Sequence, residues 1–412
     1  MGVAPEHNLP QPYAEETILA LLDSIGLSRP VAIKPLKVTA AFHLIYVLTY
    51  SREALAPHVQ LDRLPASSGD ETEVDLILRI SGDHVPRIKT ENETAILTWL
   101  REHTSIPVPE VVAFDVTSVN PVGREYLICT RCPGQAISDI YSTLSEAQLD
   151  SILLQLMHIL LELHQHRFPR IGGLAFDEQQ QQQRSITVGP LLDEHFWFTC
   201  DIPRYFSSTT TKEETFTTLN YRGPFDSFTD YVSAAVRSYL HVADIHPSLQ
   251  ESPLAPFLPR LAAFLERLPA LAGDTPTERD FYLAHKDLHF ANILYDPATD
   301  RITAILDWEF AGTVPYPQWD PVRAFLWNAQ PGQASFEEKY RLRDRFWQLC
   351  REHGGAAAVL AQTEWEDPRL ESLHLVRNAL RGITTNVPRG LHPEAVARWY
   401  GELEKGLAYF QL

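Results

Sequence analysis

Cysteine is scarce in this chain: four residues in 412, too few for a disulfide framework. Cys129 and Cys132 form a C-x-x-C, but Cys200 and Cys350 stand alone. No second C-x-x-C or close histidine pair completes a zinc site, so ordinary buried thiols are expected. The opening Met1-Gly2-Val3-Ala4-Pro5-Glu6 has neither a basic stretch nor an apolar core, the marks of a secretory signal. Glu6 also stands where a myristoylation site wants Ser or Thr. Long apolar runs are missing too: the richest helical stretch, 149–163, is interrupted by Asp150, Gln155, His158 and Glu162, so no membrane span is expected. Positive charge is in short supply, 35 Lys and Arg against 53 Asp and Glu, a net charge of −18. That balance argues against duplex nucleic acid or an anionic membrane as the main partner. The chain reads as cytosolic, with a small molecule as its partner.

What is present is the composition of a globular protein, 44% hydrophobic and 21% charged, over a length that suits two cores. Ile18, Leu21, Leu22 and Ile25 mark an amphipathic helix ending at Gly26. Strand patterns follow at 42–50 and 74–80, then a helical one at 91–102, closed by Pro107 and Pro109, and two further strands at 111–116 and 125–130. Beyond Pro133-Gly134 the pattern turns helical, with Leu149, Ile152, Leu153, Leu156, Leu160 and Leu163 on one stripe and similar periods at 258–268, 336–352, 368–382 and 393–409. Residues 178–222, with five consecutive glutamines and a Ser/Thr-rich run, read as an irregular, partly mobile insertion.

One segment carries chemistry: His285-Lys286-Asp287-Leu288-His289-Phe290-Ala291-Asn292, followed by two short apolar strands about 293–295 and 302–306 and then Asp307-Trp308-Glu309. Pairing of those strands as a hairpin brings Asn292 beside Asp307. Asp287 to Asn292 has the spacing of the kinase catalytic loop. Phosphoryl transfer needs one carboxylate to take the proton of the attacking hydroxyl, and oxygen ligands for Mg²⁺ on the nucleotide phosphates. Asp287 fits the first role; Asn292 and Asp307 fit the second. His285 suits a bracing role. A surface hairpin of unrelated polar residues is one alternative. A metal-dependent hydrolase using His285-x-Asp287-x-His289 is another.

These residues resemble the aminoglycoside phosphotransferase and choline kinase superfamily, in the branch abundant in filamentous fungi. LILRI, ENETAILTWLREHTSIPVPEVVAFD, EYLICTRCPG and LLELHQH fall in the same order as in that branch, so the likeness spans roughly residues 38–325. It is specific for fold and superfamily and silent on substrate. It implies an α+β, protein-kinase-like fold with a small antiparallel-sheet lobe over residues 1–130 and a larger helical lobe over 131–412. The implied activity is transfer of the ATP γ-phosphate, with Mg²⁺, to a substrate hydroxyl; a relative that has lost that activity is the rival. Arg79, where the family has Lys, would hold nucleotide phosphates and pair with Glu93. The phosphate-covering turn would be Thr39-Ala40-Ala41-Phe42-His43, with backbone N–H groups at Ala40 and Ala41 and no glycine. Thr130, Arg131 and Cys132 would form the hinge that meets adenine. His164 matches a family position as a core histidine. Glu309, Trp319 and Asp320 are candidates to contact a cationic or aromatic acceptor, although acidic residues there could equally cap helices or pair with Arg323.

Overall fold

The computed structural model describes residues 9–36, 42–56, 72–177, 185–206, 213–271, 279–315, 317 and 324–412. Thr39, Ala40, Ala41, Trp319, Asp320 and Arg323, singled out above, lie outside them. Five strands form an antiparallel sheet in the order β1-β2-β3-β5-β4: β1 (Ala32–Pro35), β2 (His43–Ser51), β3 (Glu73–Ser81), β4 (Val111–Asp115) and β5 (Tyr126–Thr130). Alternation along β3 sorts its side chains. Leu76, Leu78 and Ile80 are buried against Ile18, Leu21 and Leu22 of helix Glu15–Ser24. Arg79, opposite Ile45 of β2 and Leu127 of β5, projects from the other face.

On that other face lies helix Ile88–His103, whose Ile96, Leu97 and Leu100 share one apolar cluster with the Leu149–Leu163 stripe of helix Glu146–His164. Ser145 and Gln148 cap the latter helix reciprocally, which explains where it begins. The helix Ile88–His103 is also pinned by polar bonds. Asn92 Nδ2 donates to the carbonyls of Glu309 and Ala311, 3.0 Å each, and its Oδ1 accepts from Leu174 N–H at 2.7 Å. Gly173 permits that approach, since a Cβ there would stand 2.5 Å from Asn92 Oδ1.

Short strands continue with β6 (Gln135–Ala136), then a hairpin of β7 (Gly173–Phe176) and β8 (Ile186–Gly189). Two further pairs frame the chemistry: β9 (Phe281–Ala284) with β12 (Gly312–Pro315), and β10 (Ile293–Asp296) with β11 (Arg301–Ile305). Residues 285–292 therefore run from β9 to β10, and 306–311 from β11 to β12. Both loops are clamped at each end by paired strands.

A second large cluster joins helices Phe228–Ile245, Leu258–Leu271, Pro368–Asn386 and Pro393–Tyr409. The stretch 178–222 is largely irregular, as expected, but its described residues are packed rather than loose. Outside 178–184 and 207–212, this stretch supplies buried Leu191, Phe196, Trp197, Ile202, Phe206, Leu219 and Tyr221 to that cluster. Each such side chain contributes about 1.5–3 kcal/mol of burial, enough to order a segment that has no regular period. No helix among the described residues is long and apolar enough to cross a membrane.

Candidate active site

The loop from β9 to β10 is held by its own histidines. His285 is buried; its Nε2 lies 2.7 Å from Leu306 O and its Nδ1 accepts from Asp287 N–H at 3.2 Å. Those contacts assign Nε2 as the protonated nitrogen, and burial pulls the imidazole down to about 4, so it stays neutral. With both nitrogens engaged, His285 has no lone pair for a metal, which removes the hydrolase ligand set proposed on sequence grounds. His289 Nδ1 accepts from Ala291 N–H at 3.2 Å, capping the single turn Phe290–Asn292.

Asn292 is fixed from two sides. Its Nδ2 donates to Asp287 O at 2.9 Å, and its backbone carbonyl accepts from Leu306 N–H at 2.8 Å, which brings the two loops together as the hairpin pattern implied. The amide orientation leaves Asn292 Oδ1 as the free acceptor. Asp307, in a left-handed conformation at φ 65°, keeps 37% of its side chain open to the cleft. Its Oδ1 has no hydrogen-bond partner among the described residues; Arg79 is 3.6 Å away. Burial pushes the Asp307 carboxyl above the usual carboxylate range; Arg79 pulls it back, and Glu93 and Asp287 raise it again. Asp287 is more open, at 44%, with His289 Nε2 3.6 Å from Oδ2.

Across the cleft, Arg79 forms an ion pair with buried Glu93. Sequence reasoning missed Lys89 beside this pair, and the roles of Glu309 and His43 around it. Lys89, one helical turn before Glu93 and 1% exposed, donates to Glu309 Oε2 at 3.0 Å and lies 2.7 Å from His43 Nε2. His43 Nδ1 is 3.2 Å from an Arg79 nitrogen. Glu309 is thus a buried partner of Lys89, which corrects its assignment as an acceptor contact: hydrogen bonding draws it inward, behind Asp307. The Lys89/Glu93 spacing of four, Lys-x-x-x-Glu, was the available signal. His43, Glu93 and Glu309 present ligand atoms within 4.8 Å of one another, yet Lys89 and Arg79 already fill the space among them. Three carboxylates (Glu93, Glu309, Asp307) against two cations leave one negative charge in surplus. Of these three, Asp307 is the carboxylate that faces the cleft.

Thr130 N–H donates to Glu110 O at 2.9 Å and Arg131 N–H to Asp75 O at 3.2 Å, while the Arg131 guanidinium meets Asp75 at 2.8 Å. Both amides are therefore committed within the sheet's own lobe. The four cysteines are free, and burial pushes Cys129 up to about 12 and Cys132 to about 11. His164 stacks on Tyr282, centroids 4.0 Å apart. Phe42, in the 39–43 stretch, packs edge-on against Phe198 and Phe310, which reach it from the larger lobe.

Residues 67–353 match the model of the phosphotransferase enzyme family. The chain belongs to that family. Its architecture is the two-lobed, protein-kinase-like α+β fold, and kinase-type catalysis is the activity the family shares. Similar proteins include a subtelomeric hrmA-associated cluster protein of Aspergillus fumigatus, 28% identical over 55% of this chain and 50% of the relative. The clavilactone A biosynthesis cluster protein Y of Ampulloclitocybe clavipes is 26% identical over 56% and 53% respectively. The chain spans about half the length of these curated relatives. Among solved structures, the aminoglycoside phosphotransferase APH(4)-Ia in ternary complex with ADP and hygromycin B is similar at 15% identity and a TM-score of 0.49, covering 96% of this chain and 98% of that one.

Proposed function

We propose that this phosphotransferase moves the γ-phosphate of ATP to a hydroxyl on a small molecule. The observation that carries the reading is the meeting of three oxygen-bearing side chains, Asp287, Asn292 and Asp307, at the joined ends of two strand-clamped loops, opposite the Arg79–Glu93 pair. Asp287 orients the acceptor hydroxyl and takes its proton, as that oxygen bonds to phosphorus and the bond to the β–γ bridging oxygen breaks. Asn292 Oδ1 and Asp307 would hold Mg²⁺, which supplies charge neutralisation on the donor phosphates. Arg79 gives those phosphates a planar cation that Glu93 holds in place. The hinge would meet adenine through the carbonyls of Thr130 and Arg131 and through Cys132, since the first two amides are taken. Backbone N–H groups at Ala40 and Ala41 would cover the phosphates.

Calorimetric titration with Mg-ATP, together with ADP release, tests this reading; no binding at millimolar nucleotide would overturn it. Asp307→Ala is expected to abolish transfer and weaken Mg-nucleotide binding at least tenfold, because it removes the cleft-facing carboxylate beside Arg79 that the proposal assigns to Mg²⁺. Arg79→Met should raise the KM for ATP and lower turnover. Arg79→Lys should recover part of both, and Glu93→Ala should show a smaller defect in the same direction. Steady-state ATP titrations of the three variants read this, and unchanged KM values throughout would detach the pair from the nucleotide.

A further inference from the structure

Beside Asp287 the protein holds more positive charge than donor chemistry requires. Lys286 immediately precedes Asp287 and adopts φ 68°, a left-handed conformation that costs a non-glycine residue about 1–2 kcal/mol. Its Nζ reaches only Leu192 O, at a long 3.4 Å, and stands over Gly312, where an added Cβ would be 3.0 Å away. An ammonium has three donors, so this one is poorly satisfied among the described residues.

The charges that act on Lys286 come from the segment after β8 and from helix Pro368–Asn386: Asp193, Glu194, Arg377 and Arg381. Asp193 is already engaged. Its Oδ2 accepts from Arg377 at 2.6 Å and its Oδ1 faces His195 Nδ1 at 3.1 Å. Arg381 lies 3.8 Å from the same carboxylate, beyond hydrogen-bond reach, with 22% of its side chain open. Arg377 is fully buried, and its Nε has no hydrogen-bond partner among the described residues. Glu194, 63% exposed, screens weakly. Three cations thus share one buried carboxylate, in a chain whose net charge is −18. Burial lowers Lys286 to about 8, so it is still mainly charged at neutral pH. A half-buried cation that shares its carboxylate with two arginines is costly, and a strained backbone kept beside Asp287 points to a functional position.

We propose that the acceptor is an acidic alcohol, a small molecule whose carboxylate or phosphate group is held by Lys286 and Arg381 while its hydroxyl faces Asp287. This rests on the phosphotransfer reading above. It also replaces the cationic or aromatic acceptor suggested by the sequence.

The test fills the nucleotide site with Mg-AMP-PNP, so that anions cannot occupy the phosphate subsite, and then titrates 3-hydroxybutyrate, glycerol 3-phosphate and choline into wild type, Lys286→Gly and Arg381→Gln. An acidic alcohol is expected to bind wild type, the better of the two deciding between carboxylate and phosphate. Either substitution should weaken it at least tenfold without changing Mg-AMP-PNP affinity. Glycine suits φ 68°, so Lys286→Gly should melt no lower than wild type, which separates lost recognition from lost folding. Absence of acid binding, acid binding that both variants retain, or tighter binding of choline than of either acid would overturn the inference. If wild type fails to bind Mg-AMP-PNP, the phosphotransfer reading itself falls, and this inference with it.

Discussion

Asp287→Asn is expected to lower turnover by about 10²–10⁴-fold while leaving the affinity for Mg-ATP unchanged. Two features make this substitution a clean one. The contacts that shape the loop use Asp287 backbone atoms, its N–H to His285 Nδ1 and its carbonyl to Asn292 Nδ2, and asparagine keeps both. The carboxylate itself is open to the cleft, with His289 no nearer than 3.6 Å, so little of the fold depends on it. An amide of the same shape cannot accept the acceptor's proton. Single-turnover transfer and equilibrium nucleotide binding, measured on the same preparation, separate the two effects. Transfer at the wild-type rate would remove Asp287 from the chemistry.

Lys89→Met is expected to cost about 3–5 kcal/mol of stability, because it removes the hydrogen-bonded cation of buried Glu309 and leaves it only Arg79, 3.8 Å away. Lys89 is 1% and Glu309 3% exposed, and their 3.0 Å contact joins the helix Ile88–His103 to the loop after Asp307. Lys89→Met/Glu309→Gln should recover much of the loss, since removing both charges is far less costly than removing one. Urea unfolding of wild type, both single variants and the double variant gives the coupling as a double-mutant cycle. Additive losses would show that the pair does not act as a unit. Activity should fall with Lys89→Met as well, because the same helix carries Glu93.

Local patterns in the chain marked much of the site. Asp287 to Asn292 is a short-range spacing, and the hairpin that brings Asn292 to Asp307 is encoded by two apolar runs flanking Asp296-Pro297-Ala298-Thr299-Asp300. Period-two alternation along 74–80 was enough to set Arg79 apart from Leu78 and Ile80. Helix Phe228–Ile245 is weakly marked in the sequence: Val232, Ala235, Val236, Tyr239, Val242 and Ala243 follow a helical period, but Thr229, Ser233 and Ser238 interrupt it and two of these positions are alanine. Strands β9 and β12 are four residues each and pair across a separation of about thirty, too short and too distant for periodicity to reveal.

Elements whose partners lie within a turn or a hairpin were thus determined by the sequence alone: the amphipathic helices, the β10–β11 pair, the Asp287/Asn292/Asp307 set and the acidic character of the chain. Only the tertiary structure decided what the buried charges do. Lys89 and Glu309 are 220 residues apart and Lys286 and Leu192 are 94 apart, so nothing local distinguishes these side chains from solvated ones. Burial is the reason. A charge in water is nearly indifferent to its neighbours, whereas one withdrawn from water must find a counter-charge wherever the fold brings it. That requirement turned Glu309 inward to Lys89, and it set the ammonium of Lys286 against Leu192 O, among the charges of Asp193, Arg377 and Arg381.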